Sequence, residues 1–140
     1  MISKDPKLIV ALYLRGELLD PDQVTQRFGI EPSKMHKKGD IHITPTGHKV
    51  TAKHGLWALI IELDSPSLDD HLLSLAGSLP ADLSLSSISS VEDAYFDVFV
   101  GMTSDADGDA ECELEVSPRL LAQLAGFGLP VRITVTAGRD

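Results

Sequence analysis

The sequence predicts an α+β fold, a mostly antiparallel sheet with about three helices packed on it, and three observations carry that expectation. Apolar runs or alternations of strand length recur at 7–14, 56–63, 94–102 and 131–135. Between them, segments that open on Asp20, Ser67 and Ser117 carry helix caps and helical apolar spacing. The resulting order, β-α-(hairpin)-β-α-β-β-α-β, mixes helices and strands without the strict alternation of a parallel α/β sheet. It points to a ferredoxin-like or split β-α-β arrangement.

Residues 7–14 are a nearly unbroken apolar run, the pattern of a strand buried on both faces. A helix follows at once. Asp20 can cap it, Pro21 suits the first helical position, and Gln23 can reach back to complete a capping box, with Leu19 and Val24 at the staple positions. Val24 and Phe28 point inward, and Gly29 stops the helix, with Pro32 beyond. Residues 33–55 lack clean periodicity, although 41–44 and 48–51 can pair across Pro45-Thr46-Gly47 as a hairpin. The second strong strand is 56–63.

The stretch 65–80 reads as an amphipathic helix, with Leu68, Leu72, Leu75, Ala76 and Leu79 on one side and Ser67 with Asp70 at its start. Residues 81–90 hold five serines, and helix, strand and loop are all open there. From Ala94 to Met102 even-numbered residues mark one buried face. After a turn at 104–109, Cys112, Leu114 and Val116 alternate inward with Glu111, Glu113 and Glu115 outward, the pattern of a further strand. Ser117-Pro118 opens a third helix that ends at Gly126 or Gly128, and Val131, Ile133 and Val135 form the last strand. Leu19-Asp20-Pro21 with Phe28-Gly29-Ile30 is echoed by Val116-Ser117-Pro118 with Phe127-Gly128-Leu129, a likeness that cap and stop chemistry alone can produce.

At 140 residues the chain makes a single α+β domain, 1–140, which buries about 70% of its unfolded surface and needs no disulfide or structural metal. Its one cysteine, Cys112, fits a reducing compartment, so the expected location is the cytoplasm. Lys4 and Lys7 before an apolar run resemble the start of a secretory signal. The run is only seven residues, however, and Arg15 stands where a small-residue cleavage site belongs. No apolar stretch is long enough to span a membrane.

Charge is unevenly spread. Residues 1–60 carry nine Lys or Arg against six Asp or Glu, a balance of +3, and residues 61–140 carry three against fifteen, a balance of −12. A net charge of −9 argues against nucleic acid as a partner. The one basic stretch is 34–54, with five lysines, one aspartate and four of the five histidines.

Candidate chemistry is sparse. His36, His42, His48 and His54 recur every six residues, a spacing that gives no helical i, i+4 ligand pair, so no metal or other cofactor is expected. Asp105-Ala106-Asp107-Gly108-Asp109 begins like a calcium loop but has Ala110 in place of the turn glycine and Val116 in place of the closing glutamate. Cys112 reads as buried and inert, and His71, beside Asp69 and Asp70, as solvent-facing. No Gly-x-Ser-x-Gly elbow, Walker loop or dinucleotide glycine motif occurs, which leaves catalysis without a motif. What remains is a basic segment beside an aromatic: Lys37, Lys38 and Gly39, then His54, Gly55 and Trp57. These residues are the candidate site for a phosphate, a carboxylate or an acidic protein surface, with Gly39 and Gly55 admitting a ligand to the backbone. Solvated lysines and a core tryptophan are the plainer reading of the same residues.

Several of these stretches together form a recognisable pattern. Leu19-Asp20-Pro21, Phe28-Gly29-Ile30-Glu31-Pro32-Ser33, Lys38-Gly39-Asp40, Gly55-Leu56-Trp57 and Glu115-Val116-Ser117-Pro118 resemble a bacterial family catalogued as domain of unknown function 4279. The resemblance runs nearly end to end. It implies a small α+β protein and no established activity or catalytic residue, and it places Lys38, Gly39, Gly55 and Trp57 in the shared pattern. The histidines and the 105–109 run lie outside it.

The function these observations favour is a non-enzymatic module that binds a protein partner, immunity-like in one form, with an acidic face that speeds capture of a basic partner. The alternative is a small anionic ligand-binding protein or enzyme using the basic segment 34–57. A homo-oligomer is the third expectation, since strands apolar on both faces exceed what three helices cover.

Overall fold

A computed structural model of the chain describes residues 5–83, 85, 88 and 90–138. Part of the serine-rich stretch 81–90 lies outside the described residues. Strands β1 (Lys7–Gly16), β2 (Lys34–His36), β5 (Gly55–Ile61), β6 (Asp93–Thr103) and β7 (Val131–Gly138) form a five-stranded sheet in the order β2-β5-β1-β6-β7. Strands β3 (Ile41–Ile43) and β4 (Lys49–Thr51) form a separate hairpin. The helices are α1 (Pro21–Phe28), α2 (Leu68–Ser78) and α3 (Pro118–Ala125).

Strand directions identify the topology. β1 runs antiparallel to both β5 and β6, and β2 runs antiparallel to β5. β1-α1-β2 is therefore a β-α-β unit split by β5, and β5-α2-β6 is a second unit split by β1. Two interlocked split units make the ferredoxin-like core. The hairpin is inserted between β2 and β5, and α3 leads into β7, which joins the edge parallel to β6.

Local chemistry sets each helix. The Asp20 carboxylate accepts the Asp22 N–H at 3.1 Å, and α1 stops at Gly29 with φ of 69°. Ser67 Oγ accepts the Asp70 N–H and Ser117 Oγ the Leu120 N–H, so all three caps are side-chain oxygens. Leu8, Val10, Leu12 and Leu14 of β1 share one core with Val24 and Phe28 of α1, Leu72 and Leu75 of α2, and Leu120 and Leu124 of α3. All three helices thus lie on the even-numbered face of β1. On the opposite, helix-free face Tyr13 stacks on Tyr95 with ring centroids 5.5 Å apart, and the Arg132 guanidinium sits 3.8 Å over Tyr95. Burial raises the Tyr13 hydroxyl pKa and, with the Arg132 charge opposing, that of the Asp97 carboxyl.

Two expectations are corrected. Residues 111–116 alternate in burial as read from the sequence, yet they form no strand: among the described residues no ladder pairs them. Cys112, Leu114 and Val116 pack on the core from an extended, unpaired chain, with the Cys112 thiol 3.8 Å from Met102 Sδ. Strand β2, absent from the sequence reading, pairs Met35 with Trp57.

Candidate functional site

The segment between β2 and β5 folds by short-range hydrogen bonds. Lys37 N–H donates to Asp40 Oδ2 at 2.7 Å, and Gly39, with φ of 94°, closes this turn in a conformation that favours glycine. Past it, Gly39 N–H donates to the Ala52 carbonyl and Ala52 N–H to the Asp40 carbonyl, which carries the pairing into β3 and β4. The hairpin turns where the sequence places it, with Thr44 N–H donating to the His48 carbonyl around Gly47. His36 Nδ1 donates to the His54 carbonyl at 3.0 Å and ties β2 to the return of the chain.

Beside β2 the hairpin leaves a groove of about 680 Å³, lined by Lys34, Met35, His36, Asp40, Ile41, His42, Val50 and Ala52. Its apolar walls stay exposed: Met35, Ile41 and Val50 each keep roughly half or more of their surface in water, as does Ile43 farther along β3. Asp40 is the one acid in the lining, and its carboxylate already accepts the Lys37 N–H. The groove combines apolar contact area with a cation and two imidazoles, the composition expected of a recognition surface.

Of the residues the sequence singles out, most are taken up by the fold. Trp57 is 0% exposed: its Nε1–H donates to Thr25 Oγ1 at 3.1 Å, and its ring meets Phe28 edge-on at 5.2 Å. It is a core residue that fastens α1 to the sheet. Gly55 sits against the β1–α1 turn, where a Cβ would lie 2.2 Å from the Leu19 carbonyl oxygen. Lys37 pairs with Asp20 at 3.4 Å and with Asp22 at 3.8 Å, and Lys38 is hydrogen-bonded to Glu17. The hydrogen bond and charge of Lys38 hold the Glu17 carboxyl below its usual range. Lys37, Lys38 and Gly39 therefore form a turn beside the groove, His54 lends it a carbonyl, and the polar lining comes from Lys34, His36 and His42, of which the sequence singles out the two histidines for their six-residue spacing and Lys34 only as part of the basic segment.

His71 is corrected from solvent-facing to fully buried. Its Nδ1–H donates to the Ser67 carbonyl at 2.9 Å and its Nε2 accepts the Leu63 N–H at 3.1 Å, so both ring nitrogens join the start of α2 to the chain leaving β5. Among the described residues no three His, Cys, Asp or Glu converge to hold a metal, and no helix is long and apolar enough to cross a membrane.

The sheet registers place the basic hairpin segment and the acidic turn 105–109 at opposite ends of β1. Gly16 of β1 pairs with Gly55, at the hairpin end, and Lys7 pairs with Gly101, near the turn 105–109 and Glu111. Ten residues of β1 separate these ends by about 30 Å.

Fold and groove define a class: a ferredoxin-like α+β domain with an added edge strand and a hairpin that frames one open groove. Within that class, the chain belongs to the family described as domain of unknown function (DUF4279), which matches residues 6–137. No curated protein and no solved structure matches it.

Proposed function

We propose that this protein is a non-enzymatic binding module that holds a segment of a protein partner in the hairpin groove. The observation that carries this reading is the groove itself, which sets exposed Met35, Ile41 and Val50 beside Lys34, with its sole carboxylate already engaged. A partner segment that offers apolar side chains and a carboxylate fits that lining. The acidic corner, about 30 Å away along β1, gives the molecule a dipole that turns the groove toward such a partner during approach. An immunity-like inhibitor is one form of this role, in which the groove covers a working surface of the partner.

The test is capture from the lysate of the source cell with the wild type and with the double variant Ile41→Asp, Val50→Asp. A protein retained at stoichiometric level by the wild type and lost from the variant is the expected result. The same set of proteins on both would remove the groove from the interaction.

A second reading rests on Lys34, His36 and His42 in the same lining: a small anionic ligand held there. Native mass spectrometry of the purified protein distinguishes the two, since a small ligand adds a discrete mass that a Lys34→Met variant lacks.

A further inference from the structure

The outer edge of the sheet carries a second surface, and we propose that it pairs with the same strand of a second copy to make a two-fold dimer with a continuous ten-stranded sheet. β7 is an edge strand of eight residues, and all eight are exposed. Natural edges of this length are blunted by prolines, inward charges or bulges, and β7 has none of these. Its one charge, Arg132, is bonded to Asp93 on the neighbouring strand and lies over Tyr95.

The ladder fixes which groups face outward. Phe96 N–H donates to the Pro130 carbonyl and Ser104 N–H to the Gly138 carbonyl, so the even-numbered residues of β7 turn their backbone groups toward β6. Those of Val131, Ile133, Val135 and Ala137 point to the free edge. Pairs in an antiparallel ladder must join outward-facing residues on both strands. A two-fold axis through Thr134 does this along nearly the whole strand, placing Ile133 against Val135 and Val131 against Ala137 of the second copy.

Side chains agree with that register. The odd residues share the face of Phe96, Val98 and Val100, and there Ile133 is 63% and Val135 58% exposed. In the dimer these apolar side chains meet their counterparts, which relieves the exposure. On the other face Thr134 meets Thr134, a favoured cross-strand pair, and Arg132 meets Thr136, so no like charges stand opposite. The acidic turn 105–109 adjoins the Gly138 end of each strand, so the two-fold puts the two turns at opposite ends of the pair. They are roughly 25 Å apart, well beyond a Debye length at physiological salt. A β-branched edge strand that is self-complementary in register, side chains and charge selects a second copy of this chain as its occupant.

Sedimentation equilibrium across the micromolar range tests the dimer. The expected mass rises toward twice 15.1 kDa and returns to a single chain in Ile133→Lys, whose exposed side chain leaves the core intact. A mass that stays at 15.1 kDa at every concentration, or a dimer that survives Ile133→Lys, overturns the proposal. The register is tested separately by Thr134→Cys with Cys112→Ser. Directly opposed residues of a non-hydrogen-bonded pair have Cα atoms about 4.5 Å apart, within disulfide reach. Mild oxidation should therefore link two chains through residue 134 but not through Ile133→Cys in the same background. Linkage at 133 in place of 134 overturns this register.

Discussion

At one edge of the sheet β2 has three residues, two of them Lys34 and His36, and the inserted hairpin stands beside it across the groove. At the other edge β7 has eight residues, a single charge and an uncovered apolar row. The β2 side is fastened from below, by Trp57 on α1, by the approach of Gly55 to Leu19, and by the ion pairs of Lys37 and Lys38 to residues 17–22. The β7 side is fastened mainly by its ladder to β6. A strand whose neighbours are supplied by its own chain can be short and polar, whereas one held mainly by its backbone ladder gains from length, and that length leaves it open to a partner.

The largest effect expected from this contrast comes from one substitution made on both sides of the sheet, in β5 next to β2 and in β7. Gly55→Ala places a Cβ 2.2 Å from a backbone oxygen that has no rotamer to yield, and it should cost about 3 kcal/mol or more. Gly138→Ala, at the end of β7, meets no atom within 4 Å and should fall within about 0.5 kcal/mol of wild type. Urea unfolding midpoints decide it, and equal losses at both positions would show that the two sides of the sheet are equally constrained.

Next in size is Trp57→Phe, which removes a fully buried ring's extra volume and the bond to Thr25. A loss of about 2 kcal/mol is expected, measured in the same urea titration. Arg132→Ala, its counterpart on the β7 side, removes a half-exposed guanidinium over Tyr95 and should cost less than about 1 kcal/mol. A larger penalty at Arg132 than at Trp57 would reverse the account of how the edges are held.

Amide exchange sharpens the comparison within β7. The N–H groups of Arg132, Thr134 and Thr136 turn toward β6 and should exchange slowly at any concentration. Those of Ile133 and Val135 face water in the single chain and should slow only as self-pairing fills the edge. Uniform protection along β7 in dilute protein would contradict this alternation.

How much of this was legible in the sequence follows from what each signal reports. Caps are local, so Asp20, Ser67 and Ser117 show themselves through their own neighbours, and the Pro45-Thr46-Gly47 turn does the same. Alternation reports which way side chains point and is silent about hydrogen bonds. It finds β6, and for the same reason it finds a strand at 111–116, where side chains alternate but no ladder forms. β2 escapes because three residues, Lys-Met-His, hold too little of any period. His71 sits beside two aspartates and takes on their polar character, while its burial is decided by the Leu63 and Ser67 backbone groups it bridges. In the candidate site, lysines and glycines were legible as a basic turn. The groove arises from how the hairpin folds back on β2, which sequence spacing does not encode.

The smallest effects expected are electrostatic, and they differ in sign between the two sides. Glu17, beside the hairpin, has its pKa lowered by the hydrogen bond and charge of Lys38, so its contribution is present above the ordinary carboxylate range and lost as pH falls through the folded-state value. Asp97, facing Arg132 next to β7, has its pKa raised by burial. Its contribution is therefore present at low pH and lost as pH rises through the folded-state value. Carboxyl carbon NMR should thus show Glu17 titrating below an ordinary glutamate and Asp97 above an ordinary aspartate. Lys38→Met should return Glu17 toward its ordinary range and leave Asp97 where it was. Arg132→Met should raise Asp97 further, because the guanidinium is what opposes its burial, and should leave Glu17 unmoved. A shift of both carboxyls in either variant would mean that the two edges communicate through the sheet, and the independence on which the whole comparison rests would fail.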